Sequence, residues 1–319
     1  MAITRDAEWR YSPITALLTK TDLILTANFY REKLNEIVEL FSSIATNTQF
    51  KSHELRQVKE LTDFETLAAS KCPRTVLTEE LFSVSYKNEL GNKIYCSQRR
   101  SNEMTTEKVS QFISNCPSEA VLSSVGVGLD ELASVVEPFQ FSPQSKAEIR
   151  NLKKFQFSVG NLRMESDLEE SHIAFGFENA GDYFLSKLLQ TFLGPNEIIK
   201  YSQTGHLQSL SSFTQAHDNL FIIGLSGSDL HSSTDQLLTR FNELKDGKYE
   251  LDFKKVLQQT LFDIEQSVEH RNNLAEYLAS GQVVEGKATE EQFRKYVSKI
   301  FSQKPSSVAL GDLERIPYQ

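Results

Sequence analysis

NLFIIGLSG (Asn219–Gly227) is the stretch on which the fold turns. A short apolar run of this length, closed by glycine and serine, reads as a strand buried on both faces. SSTDQLLTRFNEL (Ser232–Leu244) follows, with Leu237, Leu238, Phe241 and Leu244 at helical spacing. A long helical region then runs from about Asp252 to Ala279. TEEQFRKYVSKIF (Thr289–Phe301) predicts one more amphipathic helix, with Phe293, Tyr296, Val297 and Ile300 inward, and SSVALGD (Ser306–Asp312) ends the series as a strand. Thr289 and Gln292 fit a capping box at the start of that last helix.

The same series occurs earlier in the chain. TDLILTANF (Thr21–Phe29) reads as a strand, and REKLNEIVELFSSIATN (Arg31–Asn47) as a helix with Leu34, Ile37, Val38, Phe41 and Ile44 on one face. A second helix, from about Ser52 to Ser70, carries Leu55, Val58, Leu61 and Leu67, and a third covers roughly Arg74 to Lys87. TTEKVSQFISN (Thr105–Asn115) uses Val109, Phe112 and Ile113, with Thr105 in the place of Thr289, and leads into a strand, AVLSSVGVG (Ala120–Gly128). Element order and apolar positions repeat together. The sequence therefore predicts an α+β fold made by internal duplication, each half a mainly antiparallel sheet packed against helices.

EPFQFSPQSKAEIRN (Glu137–Asn151), polar and holding Pro138 and Pro143, reads as the linker. It divides the chain into halves at 1–145 and 146–319. The second half opens with a section that the first lacks. LKKFQFSVG (Leu152–Gly160) and SHIAFGFEN (Ser171–Asn179) alternate as strands, and AGDYFLSKLLQTFLG (Ala180–Gly194) is a helix burying Phe184, Leu185, Leu188, Leu189 and Phe192. The twenty residues before Thr21 are too few for two strands and such a helix, so the first half is expected to be incomplete at its start.

Bulk properties narrow the class. With 319 residues, 39% hydrophobic and 24% charged, the chain is long enough for two full cores. A formal charge of −9 argues against nucleic acid or anionic lipid as a partner held by surface charge. No apolar run reaches the roughly 18–20 residues of a membrane span. Cys72, Cys96 and Cys116 form no C-x-x-C, and their odd number points to reduced thiols rather than a disulfide framework. The opening MAITRDAEWRYSP lacks the apolar core of a secretory signal, and Asp6 and Glu8 beside Arg5 and Arg10 make it a poor mitochondrial presequence.

A duplicated α+β half joined by a linker resembles the plan of the pitrilysin-like family, which includes the mitochondrial processing peptidases. The likeness is carried by LTANFYREKLNEIVELFSSIATNTQFKSHEL (Leu25–Leu55), ELGNKIY (Glu89–Tyr95) and SSVALGDLERIPY (Ser306–Tyr318), as an ordered series spanning about Thr21 to Tyr318. The resemblance implies two tandem pitrilysin-like α/β sandwich halves. Active members carry H-x-x-E-H on the first helix of the N-terminal half, which is the section missing here. The matching helix of the second half, Gly181–Gly194, has no histidine. Within the family the resemblance points to the non-catalytic core subunits of the mitochondrial ubiquinol–cytochrome c reductase, respiratory complex III. It implies a scaffold peripheral to the inner membrane on its matrix side, in a dimeric complex. Its partners would be a core protein 1-like subunit, cytochrome b and other complex III subunits, with no nucleic acid and no cofactor of its own. Catalytic, cofactor-binding and metal residues are all expected to be none; haem and iron–sulfur chemistry would belong to the partners. The alternative is a zinc metallopeptidase, or the non-catalytic subunit of a mitochondrial processing peptidase. That subunit's glycine-rich loop is poorly matched by GPNEIIKYSQTGHLQSL (Gly194–Leu210), which holds only Gly194 and Gly205.

Other stretches approach catalytic motifs. QSVEH (Gln266–His270) is one residue short of H-x-x-E-H, but Leu257, Leu261, Ile264 and Val268 form the apolar stripe there, and Gln266, Glu269 and His270 fall opposite it. Glutamine is also a poor zinc ligand, so the stretch reads as a solvated face. The six histidines (His53, His172, His206, His217, His231 and His270) include no pair four apart, and His53 with Glu54 reads as a first helical turn. GQVVEGKAT (Gly281–Thr289) has P-loop spacing, but Ala288 replaces the magnesium-binding hydroxyl and a helix precedes it. Gly126 and Gly128 lack the third glycine of a dinucleotide fingerprint, and QSLSSFTQ (Gln208–Gln215) lacks G-x-S-x-G and reads as strand or loop.

Overall fold

A computed structural model describes residues 12–46, 50–115, 120–139, 156–179, 183–194, 210–217, 219–228, 230–280 and 288–317, with Arg5, Ala7 and Phe141. The first half opens with a hairpin of β1 (Ile14–Leu18) and β2 (Leu23–Ala27), paired antiparallel with Leu18 opposite Leu23 and Ile14 opposite Ala27. The Thr19 N–H donates to the Asp22 carbonyl at 2.9 Å and closes the turn. Antiparallel pairs alternate between bonded and non-bonded. Residues 24 and 26 therefore turn their backbone groups towards β1, and Leu23, Leu25 and Ala27 turn theirs away. Helix α1 (Leu34–Thr46) buries Leu34, Ile37, Val38 and Leu40, while Phe41 and Ile44 are half-buried. It is followed by α2 (Ser52–Ser70), and by α3 (Pro73–Ser85), which starts on a proline whose missing N–H costs nothing in the first turn. Three shorter helices complete this half: α4 (Gln98–Glu103), α5 (Thr106–Asn115) and α6 (Leu129–Val136).

The second half builds one five-stranded sheet from β3 (Asn161–Glu165), β4 (Ser171–Glu178), β5 (Ser211–Ala216), β6 (Leu220–Gly227) and β7 (Ser306–Gly311). Their order is β3-β7-β4-β6-β5, with every pair antiparallel except β3–β7. Helices α7 (Tyr183–Phe192), α8 (His231–Lys245), α9 (Phe253–Val268), α10 (Arg271–Ala279) and α11 (Glu290–Phe301) lie between the strands in sequence. One face of the sheet buries Ile173, Phe175, Phe177, Phe221, Ile223 and Leu225 against residues of α7, α8 and α11. There Phe177 meets Phe241 edge-on at 5.1 Å and Phe301 at 5.0 Å. The opposite face, with Ala174, Leu220, Ile222 and Val308, packs on Leu77, Leu81 and Phe82 of α3. Cover on both faces explains why NLFIIGLSG runs apolar instead of alternating.

Contacts gather the chain into two units. One comprises Met1–Ala68, Ile94–Lys154 and Ser267–Val283; the other comprises Ala69–Lys93, Phe155–Gln266 and Val284–Gln319. Two helices account for the interleaving. Helix α3, from the first half of the sequence, belongs to the unit of the five-stranded sheet, where the hydroxyl of Tyr86 donates to the Asn219 carbonyl. Helix α10, from the second half, belongs to the unit of the β1–β2 hairpin. There Thr26 Oγ1 donates to Glu276 at 3.2 Å and Ser123 Oγ donates to the Ala275 carbonyl at 2.6 Å. Both are the third helix after their hairpin, so each half lends the same element to the other's unit.

Three elements differ from the sequence reading. Ala120–Gly128 is not a strand, although Ser123–Gly128 repeats the Ser-Ser-Val start and terminal glycine of β7. β7 lies between β3 and β4; among the described residues no strand stands in the matching places, and a strand without neighbours leaves its backbone groups unpaired. In the second half the strand before β4 among the described residues is Asn161–Glu165, whereas 156–160 of the expected strand form none and 152–155 lie outside the described residues. Of the expected strand, Phe157 makes a single bridge with Tyr86 and stacks edge-on against its ring at 5.9 Å. The helical region 252–279 is broken into α9 and α10. Most of the expected linker, Gln140 and 142–151, lies outside the described residues.

Candidate functional site

A zinc site of the H-x-x-E-H kind needs imidazole or carboxylate donors converging from a rigid element. Helix α7, which the resemblance makes the second-half counterpart of a metal-bearing helix, presents Phe184, Leu188, Leu189 and Phe192 to the core. Its sequence YFLSKLLQTF contains neither donor type, and its buried Ser186 hydroxyl donates to the Tyr183 carbonyl at 2.7 Å. QSVEH does not lie on one helix. α9 ends at Val268, and His270 sits in extended conformation (φ −75°, ψ 127°) as the residue capping α10. Gln266, Glu269 and His270 are all exposed. Among the described residues no three of His, Cys, Asp and Glu gather in a metal-holding arrangement.

The remaining histidines are spread over separate elements. His53 is exposed in the first turn of α2. His217 meets Phe82 edge-on at 5.3 Å, and His231 Nε2 lies 2.8 Å from the Glu314 carbonyl. His206 lies outside the described residues, as do Gly281–Lys287 of the P-loop-like stretch and most of Gly194–Leu210. His172 is the chemically most distinctive: buried in β4, opposite Ser226 of β6, its Nδ1 lies 2.7 Å from Ser226 Oγ. Burial pushes its pKa below the ordinary 6.5, with the Glu170 charge opposing. The sequence reading had no signal for this pair, because its members are brought together only by strand register. What the pair does is satisfy two polar groups inside the sheet.

The surface is more informative. Helix α2 buries no residue, and Val58, Leu61, Phe64 and Leu67 stand exposed. Of the apolar residues that the sequence places on this helix, Val58, Leu61 and Leu67 are open and Leu55 is half-buried. Periodicity reports that a helix is amphipathic, not what covers it. Phe112 and Ile113, two of the apolar residues that make α5 amphipathic, are exposed too, with Val109 half-buried. The helix caps, in contrast, form as expected. Thr289 and Gln292 close a reciprocal box, with bonds of 2.9 and 3.3 Å, and in the first half the Lys108 N–H donates to Thr105 Oγ1 at 3.3 Å. Such a surface does chemistry poorly and binds protein well.

Comparison with known proteins accords with this geometry. The profile of the insulinase family (peptidase family M16) matches residues 11–98. Cytochrome b-c1 complex subunit 2 of Rattus norvegicus is 27% identical over 139 residues, 43% of this chain and 31% of that protein. The chain resembles core subunit 2. Subunit alpha of the mitochondrial processing peptidase of Solanum tuberosum is 22% identical over 251 residues, covering 71% of this chain and 50% of that protein. The chain thus spans 31% and 50% of the length of these two curated relatives. Among solved structures, a chain of complex III2 from Candida albicans with Inz-5 bound superposes with a TM-score of 0.72 at 14% identity, covering 99% of this chain and 87% of its own. A protease from Helicobacter pylori gives 0.75 at 11% identity, covering 97% and 84%. These structures establish the fold: a pitrilysin-like arrangement of helices and antiparallel-dominated sheet.

Proposed function

We propose that the chain is a non-catalytic scaffold subunit of the mitochondrial ubiquinol–cytochrome c reductase, supporting assembly of the complex. It would sit peripherally on the matrix side of the inner membrane, paired with a core protein 1-like subunit and packed beneath cytochrome b. The carrying observation is the set of exposed apolar side chains on α2, Val58, Leu61, Phe64 and Leu67, on a helix that buries no residue. A large permanent interface, typically over ~2,000 Å², is richer in apolar residues than a transient one. The likeness to core subunit 2 supports this choice of assembly. None of the described helices is long and apolar enough to cross a membrane, which accords with attachment through protein contacts. In this reading no residue of the chain is catalytic or metal-binding, and the two sequence repeats divide at 145/146.

A second reading, a zinc peptidase or its non-catalytic partner subunit, is favoured by the likeness to the processing-peptidase alpha subunit. Affinity capture of the tagged chain from mitochondria separates the two. The proposal expects cytochrome b and a core protein 1-like subunit to come down together. Recovery of a processing-peptidase beta-type subunit without cytochromes would reverse the assignment.

A further inference from the structure

We draw no further inference here: the strongest candidate, the surface patch that Val58, Leu61, Phe64 and Leu67 form on helix α2, belongs to the reading already proposed, and nothing in the structure shows what covers it.

Discussion

At the scale of single residues the sheet shows how register creates chemistry that spacing along the chain hides. His172 and Ser226 are 54 positions apart and share a 2.7 Å contact because β4 and β6 pair in one register. The folded state holds the imidazole pKa below 6.5, so the unfolded chain binds the proton more readily. This contribution to stability is complete above pH 6.5 and is lost as pH falls from there through the lowered folded value. Between pH 7.5 and 5.5 the urea midpoint should drop more for the wild-type chain than for His172→Gln, which keeps a polar partner for Ser226 but cannot titrate. Equal drops would show that His172 is not the titrating group. Hydrogen-bonded turns at Thr105 and Thr289 were legible from sequence, because a cap is a local device. The His172–Ser226 pair was not, because it is a tertiary one.

At the scale of elements, α3 and α10 carry the clearest lesson. Both were read correctly as helical, yet neither packs only with its own half of the sequence. Amphipathic spacing fixes which face of a helix seeks cover and leaves open which sheet supplies it. Leu77 and Leu81 of α3 are fully buried against the face of the five-stranded sheet that holds Ala174, Ile222 and Val308. Leu81→Ala should cost about 2–5 kcal/mol. The loss should appear as faster amide exchange in β4, β6 and β7, some ninety residues or more along the chain. Faster exchange confined to α1 and α2 would contradict the packing. Ala120–Gly128 shows the converse error. Its pattern is that of β7, but a strand exists only where neighbours bond to it.

At the scale of the whole molecule, the mixed α/β class was readable because strand–helix order and apolar positions recur together over long segments. The open surfaces were not, because exposed and buried apolar residues look alike in a sequence. Phe64, Phe112 and Leu129 are all largely exposed, which a chain completed by partners would accommodate. The proposed scaffold role therefore requires membership in a larger assembly. The direct measurement is native electrophoresis of mildly solubilised mitochondria, probed for this chain and stained for haem. The chain is predicted to run in the haem-staining band of the cytochrome b-c1 complex. Migration wholly apart from haem would contradict the scaffold role.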